Sequence, residues 1–309
     1  MTAIPFYFYN HQNKGLPLVR AMEAAGWTWT AQSSRAKCIF SDSDVPSRTR
    51  SLTSFHQMGK TIFLYSHAAR PNLFNDFAGY PPFPHIAANF VFAAGHIEIL
   101  RRIGLTYPME VVGWYLCPLR PFQPRERAYR VLFAPIHPNN NGTLSKIDRK
   151  INADTFRKLL PLVESGEIQL TVRFLRGLER NGLWLVDGVT YVEGQPDQSY
   201  EQIDAADLVV SHQTFAHIAI ARGVPTVMMS ESTPPRIGCE ETKNFQFVQR
   251  WDDYKDLMMY PLDILTEDDT PALFQRAIQS DQEIADWRAR LIGQPFDPFA
   301  FVQTVMRYL

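Results

Sequence analysis

The amino-acid sequence predicts an α/β fold of two Rossmann-like domains in tandem. Short apolar runs alternate with helix-like segments, which is the pattern of a parallel sheet covered by helices. Midway along the chain, the stretch "GWYLCPLRPFQPRERAYRVLFAPIHP" carries Pro118, Pro121 and Pro124 between two apolar runs. A continuous helix or central strand through these prolines is disfavoured. Since the alternation restarts beyond them, we place the domain boundary there and expect a first domain over 1–118.

Five apolar runs of the first domain are expected to be strands, at residues 4–9, 37–40, 61–65, 90–93 and 110–112. The segment "GLPLVRAMEAA" (15–25) has apolar residues at helical spacing, and Gly26 follows it as a stop signal. Strand and helix therefore alternate from the start of the chain.

In the second half, strands are expected in "YRVLFAPI", "IQLTVRF", "VTYVEG", "DLVVS" and "TVMMS", with helices at 154–164, 200–205 and 215–222. These elements predict a second domain over 119–296. The last segment, "DPFAFVQTVMRYL" (297–309), has an acidic start and apolar residues at helical spacing, so it predicts a closing amphipathic helix packed on a domain surface.

The composition is that of a globular protein with a sizeable core, at 45% hydrophobic and 20% charged residues. No apolar run approaches the ~20 residues that cross a bilayer. The start, "MTAIPFYFYN", lacks the basic region and cleavage site of a signal peptide, so we expect a cytoplasmic protein. The cysteines at 38, 117 and 239 are widely separated, which indicates neither a disulfide framework nor a CxxC metal site.

Charge is unevenly distributed along the chain. Residues 1–118 contain ten Lys/Arg against six Asp/Glu, a net +4, whereas the remainder has a net −5. A basic first domain is able to attract an anionic partner, although scattered solvated charges account for the same excess.

Four apolar runs are each followed by a histidine, namely His11, His67, His137 and His212. In parallel sheets, ligands bind outside the carboxyl ends of the strands, so these histidines are expected to line a cleft between the domains. A neutral imidazole can donate to phosphate or act as a general base. Loop or core histidines are the alternative. A metal site is not expected, since no HxH or HExxH spacing occurs and His212 and His217 are spaced i, i+5.

The stretch "ADLVVSHQTFAHIAIARGVPTVMM" (206–229) places polar residues where a predicted strand becomes a helix. The side chains of Ser211, Gln213 and Thr214 are available there to join the free amides of the helix start in holding a phosphate. The alternative is that Ser211 or Thr214 only caps the helix.

Three further features are candidates for the same ligand. The turn "HPNNNGTLSK", with His137 and Asn141, can direct backbone amides at an anion or be a plain surface loop. In "VRFLRG", Arg173 is better placed than Arg176 to supply guanidinium donors to a pyrophosphate. Glu231 in "MMSESTPP" follows the last strand, where a carboxylate can accept ribose hydroxyls or be a loop residue without a ligand.

The stretch 206–229 resembles the carboxyl-terminal donor-binding motif of GT-B-fold nucleotide-sugar transferases, in which an Ala-Asp-apolar strand, a polar turn and a helix precede Gly-(Val/Lys)-Pro and a further strand. At motif level the resemblance covers this stretch and "LFAPIHPNNNG". Proteins of similar organisation include lipid-linked N-acetylglucosaminyl transferases, nonhydrolysing UDP-N-acetylglucosamine 2-epimerases and CDP-glycerol glycerophosphotransferases.

The resemblance implies that the nucleotide binds the second domain, the acceptor binds the first, and the last helix returns to the first domain. It places Ser211, Gln213 and Thr214 on the diphosphate, Glu231 on the ribose, and His137 with Asn141 near the phosphates. His11 and His67 then face the acceptor. The loop "NHQNKG" lacks the paired glycines of the lipid-linked transferases, and "SESTPPRIG" matches the epimerase signature poorly. The resemblance also implies that no bound metal is needed.

The sequence therefore predicts a metal-independent glycosyltransferase that has no bound cofactor and uses a nucleotide-diphosphate sugar as co-substrate. His67 is the expected base and His11 the reserve, and an anionic acceptor is expected (a glycan, a lipid or nucleic acid with a hydroxylated base). Two alternatives stand beside it: a sugar-nucleotide epimerase or hydrolase, and a nonenzymatic nucleotide-sugar-binding protein.

Overall fold

A computed structural model describes residues 4–9, 16–42, 46–65, 82–136, 142–175, 177–195, 198–229 and 253–309. The chain divides into two compact units. The first comprises Met1–Pro118, Gln246–Leu257 and Ala289–Leu309, and the second comprises Leu119–Phe245 and Met258–Arg288. Each unit contains one parallel sheet, so the predicted class of two α/β domains is confirmed.

Eleven strands lie within the described residues: β1 Pro5–Tyr9, β2 Thr28–Trp29, β3 Cys38–Ser41, β4 Thr61–Tyr65, β5 Ala88–Val91, β6 Met109–Val111, β7 Arg130–Ala134, β8 Gln169–Phe174, β9 Thr190–Glu193, β10 Leu208–Ser211 and β11 Thr226–Met228. Ten α-helices lie within the same part of the chain: α1 Leu16–Ala24, α2 Pro46–Gln57, α3 Ala94–Arg102, α4 Gly142–Glu164, α5 Ser199–Ala205, α6 Gln213–Ala221, α7 Lys255–Met258, α8 Thr270–Gln279, α9 Gln282–Leu291 and α10 Pro298–Met306.

The sheet of the first unit has the order β2-β1-β3-β4-β5-β6, with every pair parallel. Strand β2 lies on one side of β1, and the chain then crosses to the other side to form β3. Phe8, Phe40 and Phe63 align across neighbouring strands. Phe301 of α10 covers this aromatic face, with its ring centroid 5.8 Å from that of Phe40. The amphipathic last helix is therefore part of the core of the first unit.

The sheet of the second unit has the order β11-β10-β7-β8-β9, again entirely parallel. Helices α5 and α6 cover one face through an apolar cluster that includes Ile203 and Ala219. On the other face, Phe156 of α4 stacks on Phe133 at 6.2 Å. The Gly-Val-Pro sequence follows α6. A β-carbon at Gly223 would lie 1.9 Å from Pro121 O, and the φ of Gly223 is +75°, so glycine is required at this position for both reasons.

Some helix boundaries differ from the sequence predictions. Helix α4 begins at Gly142 rather than 154, and α6 begins at Gln213 rather than 215. The predicted acidic start of the last helix is its N-cap, since Asp297 accepts hydrogen bonds from Phe299 N at 2.8 Å and Ala300 N at 3.2 Å. Across the described ranges, no helix has the length and apolarity that a membrane span requires.

Candidate functional site

The carboxyl edge of the second sheet contains the point where the chain changes direction across the sheet. Strands β8 and β9 lie to one side of β7, whereas β10 and β11 lie to the other. In open parallel sheets, ligands bind in the crevice at such a switch point. Ser211 aligns with Ala134 across this boundary, so the turns after β7 and β10 emerge side by side. The sequence placed candidate residues in both turns.

The hydroxyl of Ser211 donates a hydrogen bond of 2.8 Å to Ala134 O, and the side chain is buried. This bond joins the ends of β10 and β7 at the switch point. Because the single hydroxyl proton is used within the sheet, Ser211 would have to release Ala134 O in order to donate to a ligand. The diphosphate role assigned to Ser211 stays a prediction.

Two buried asparagines fasten the neighbouring turns, and sequence reasoning missed both. Asn152 of α4 accepts from Ile136 N at 2.7 Å and donates to Ile136 O and Asn181 O, each at 2.9 Å. Asn181 in turn donates to Leu175 O at 2.8 Å and to Gly177 O at 2.6 Å. The chain segments that leave β7 and β8 are therefore held by one network. The available sequence signal was a polar Asn152 on the buried face of an amphipathic helix.

Helix α6 starts directly at this edge. Its N-cap is His212, in extended conformation with φ −132° and ψ 150°, and the His212 side chain makes no capping hydrogen bond. Neither Ser211 nor Thr214 occupies the N-cap position. The first amides of a helix have no acceptor within the helix and give its start a partial positive charge. Thr214 is half-buried, and the side chain of Gln213 lies outside the described residues.

The side chain of Arg173 reaches the same place from the end of β8. Its Nε donates to Gln202 Oε1 at 2.7 Å, and its Nη2 donates to Ser199 Oγ at 2.9 Å and Gln195 O at 3.1 Å. The guanidinium carbon lies 4.9 Å from the ring centroid of Phe215, a residue in the first turn of α6. The predicted cation is thus fixed beside the helix start by three hydrogen bonds.

Arg173 is buried, and among the described residues no charged group offsets that burial. Desolvation lowers the pKa of its guanidinium, since removal from water disfavours the charged form. The positive ends of α5, which begins at Ser199, and of α6 lie next to it. A buried cation beside two helix N-termini produces a positive potential that favours an anion. Within the described part of the chain, Nη1 has no hydrogen-bond acceptor, so it is free to bind one.

Five of the predicted site residues lie outside the described residues: His11, His67, His137, Asn141 and Glu231. Arg176 does so as well. The strands that precede His11 and His67 are β1 and β4, which are separated by β3. Neighbouring strands lie about 4.8 Å apart, so the ends of β1 and β4 lie about 10 Å from each other.

The two remaining histidines of the sequence hypothesis are both buried. His212 is 7% exposed at the start of α6. His217 is 2% exposed, and its ring stacks on Trp287 with centroids 5.8 Å apart. His217 is therefore a core residue of the second unit. Among the described residues, no three His, Cys, Asp or Glu side chains cluster as metal ligands.

The carboxyl edge of the first unit is organised differently. Asp42, which directly follows β3, is buried and forms an ion pair with Arg48 of α2. His96 in the first turn of α3 is also buried, and it is hydrogen-bonded to the backbone of Leu291. Burial lowers the pKa of His96 to about 4, so this imidazole is neutral at physiological pH. Sequence reasoning singled out none of these residues.

No protein-family model matches the sequence, and no curated protein matches it closely enough to indicate a relative. Solved structures do match the fold. The glycosyltransferase SnogD from Streptomyces nogalater is 11% identical, with 99% of this chain and 100% of SnogD covered and a TM-score of 0.55. The wall teichoic acid polymerase TagF is 10% identical, with 99% and 88% covered and a TM-score of 0.56.

A UDP-GlcNAc 2-epimerase from Neisseria meningitidis, solved with bound UDP-GlcNAc, is 11% identical, with 99% of this chain and 100% of the epimerase covered and a TM-score of 0.53. Since each match extends over nearly the whole chain, the fold resemblance drawn from residues 206–229 is confirmed: the chain has the GT-B fold. At these identities the matches establish the fold alone.

Proposed function

We propose that this GT-B-fold chain is a metal-independent glycosyltransferase that transfers a sugar from a nucleotide-diphosphate sugar to an acceptor hydroxyl. One observation carries the proposal: the buried Arg173 guanidinium, without a described counter-ion, lies against the uncapped first turn of α6 at the switch point of the second sheet. A diphosphate supplies the negative charge that this arrangement lacks.

In the proposed reaction, Arg173 and the first amides of α6 hold the diphosphate of the donor. The acceptor hydroxyl attacks the anomeric carbon, the bond from that carbon to the diphosphate oxygen breaks, and the hydroxyl proton passes to a base. Negative charge grows on the departing diphosphate, so the fixed donors stabilise the transition state more than the ground state. The predicted base is His67, with His11 in reserve. No bound cofactor or metal takes part.

The remaining donor contacts follow the sequence hypothesis. His137 and Asn141 follow β7 in the sequence, and Asn152 holds Ile136, the residue directly before His137, by two hydrogen bonds. Glu231 follows β11 and is proposed to accept the ribose hydroxyls. The acceptor is proposed to be anionic, in keeping with the net +4 of residues 1–118. We keep the cytoplasm as the proposed location.

An epimerase acting on a sugar nucleotide is the second candidate, because the matched folds include a UDP-GlcNAc 2-epimerase. Both reactions need the same diphosphate site. They differ in the need for an acceptor: an epimerase or hydrolase converts the donor alone, whereas a transferase requires an acceptor hydroxyl. A nonenzymatic binding protein would hold the donor without converting it.

The first test is thermal unfolding of the protein with UDP, GDP, CDP, ADP or dTDP. A ligand that binds only the native state raises the melting temperature. We expect one nucleotide to produce a clear shift, and Arg173→Met to abolish it. The matched control is Arg130→Ala, which removes a cation of the same sheet that is already paired with Asp207 at its amino edge. That variant should keep the full shift.

If no nucleotide shifts the melting temperature, or if Arg173→Met and Arg130→Ala respond alike, the proposed donor site is wrong. Once the nucleotide is known, its sugar conjugates are incubated with and without acceptors. Conversion in the absence of any acceptor would replace the transferase by the epimerase or hydrolase.

A further inference from the structure

We propose that His56 and His85 form a binding site for one divalent late transition-metal ion, such as Cu²⁺ or Zn²⁺. Their imidazole rings are stacked, with centroids 3.7 Å apart and an interplanar angle of 3°. Both residues are exposed. They come from different elements, since His56 lies in the last turn of α2 and His85 lies in the segment that precedes β5.

The backbones of both histidines are fixed by buried neighbours. Phe55, next to His56, belongs to the same apolar cluster as Phe83 and Ile86, which flank His85. The end of α2 is closed by hydrogen bonds from Gly59 N to His56 O at 2.8 Å and from Lys60 N to Phe55 O at 3.0 Å. Two imidazoles are therefore brought together by the core of the first unit, and little ordering is left for a metal to impose.

A shared ion requires the two stacked rings to turn toward a common point. With zinc–nitrogen bonds of about 2.0–2.1 Å, the centroids of two imidazoles on one tetrahedral ion lie about 5 Å apart. The two rings, whose centroids are 3.7 Å apart, therefore need to separate by side-chain rotation so that one nitrogen lone pair of each points at the ion. Their exposure leaves room for that rotation.

The pair belongs to the first unit, whereas the proposed nucleotide site belongs to the second. Helix α2 runs back from the carboxyl edge after β3 and ends at Gln57, and His85 precedes the start of β5, so both histidines lie at the amino edge of the first sheet. Among the described residues, no third His, Cys, Asp or Glu completes a cluster with them. Water would fill the other coordination positions, which makes this an open site. Imidazole ligands favour copper over zinc.

The test is calorimetric titration of the EDTA-treated full-length protein with CuCl₂ and with ZnCl₂. We expect one ion to bind per chain at this site. His56→Gln and His85→Gln should each lower the metal affinity by roughly tenfold or more, since even outer-shell partners of a metal typically contribute 10-fold. His56→Phe is the matched variant, because it keeps an aromatic ring on His85 while removing the ligand. It should lose binding as His56→Gln does, with an unchanged melting temperature in the absence of metal.

Electron paramagnetic resonance of the Cu²⁺-loaded protein gives a second measurement. Hyperfine splitting from two coordinated imidazole nitrogens is expected for the unchanged protein and from fewer in each single variant. The proposal is overturned if the unchanged protein binds neither ion, or if the double variant His56→Gln, His85→Gln keeps the same affinity, stoichiometry and spectrum.

Discussion

Each sheet has an arginine at its carboxyl edge, half-buried in the first unit (Arg48) and buried in the second (Arg173), and the two differ in their partners. In the first unit, Arg48 forms an ion pair with Asp42 directly after β3. In the second unit, Arg173 occupies the corresponding edge with neutral hydrogen-bond partners only, among the residues described. A paired cation stabilises its own fold, whereas an unpaired one leaves positive charge for a ligand. From this difference we propose that the second unit is the one that binds the anion.

The largest effect is expected on breaking the ion pair of the first unit. Asp42→Asn removes the buried carboxylate that pairs with the half-buried Arg48 guanidinium and should lower the free energy of unfolding by about 4 kcal/mol. Arg173→Met removes hydrogen bonds but also a desolvated charge, so it should cost at most about 2 kcal/mol. Urea unfolding of both variants measures the contrast. Equal losses would show that the two arginines are not differently compensated.

The second prediction concerns the network beneath the switch point. Asn152→Ala leaves Ile136 N, Ile136 O and Asn181 O without their partner, so the free energy of unfolding should fall by about 3 kcal/mol. Asn152→Asp keeps the acceptor for Ile136 N, so its free energy of unfolding, measured in urea, should lie between those of the unchanged protein and Asn152→Ala. If Asn152→Ala costs less than about 1 kcal/mol, water replaces the amide and the network does not fix the turns.

The third prediction tests the neutral histidine of the first unit by pH. In the unfolded chain His96 takes up a proton below its ordinary pKa of 6.5, whereas in the folded protein it does so only near 4. The stabilisation is thus fully present above pH 6.5 and is lost as the pH falls toward 4, by up to about 3 kcal/mol. His96→Phe should lack this part of the acid dependence. Parallel stability profiles of the two proteins between pH 7 and 4 would contradict a buried neutral imidazole.

The smallest effect is expected at Ser211. Ser211→Ala removes one buried hydrogen bond to Ala134 O and should lower the free energy of unfolding by about 1 kcal/mol. Ser211→Thr keeps a hydroxyl and is the control. If the hydroxyl has no contact with the nucleotide, the nucleotide should raise the melting temperature equally in Ser211→Ala and Ser211→Thr. A smaller shift in Ser211→Ala than in Ser211→Thr would support its predicted role on the diphosphate.

Much of the fold could be predicted from apolar periodicity. The strand expected at 61–65 occurs at Thr61–Tyr65, and the helix expected at 154–164 is the second half of α4, where apolar residues recur at helical spacing. The first twelve residues of α4 were missed because Asn152, Asp148 and several basic residues interrupt that spacing, although Asn152 and Asp148 are buried. Burial of a polar residue depends on partners distant in sequence, which periodicity cannot reveal.

The candidate site could be predicted only in part, because its contacts also join residues that are distant in sequence. The strand-to-helix turn at 211–214 and Arg173 were visible, since polar residues followed apolar runs. The way in which Gln202, Ser199 and Gln195 hold Arg173 depends on the crossover that brings α5 over β8, and no local pattern encodes it. The stacking of His56 on His85 likewise joins residues that are separated by a whole strand in the chain.

The position of Phe301 has a consequence for biosynthesis. Its ring completes the aromatic layer formed by Phe40, Tyr65 and Phe90, with centroid distances of 5.0–5.8 Å. Ribosomes deliver domains in order from the amino terminus, and early domains usually fold first. Here the first unit includes residues 289–309, which are synthesised after all residues of the second unit. The aromatic layer of the first sheet is therefore completed only after residues 289–309 have been synthesised.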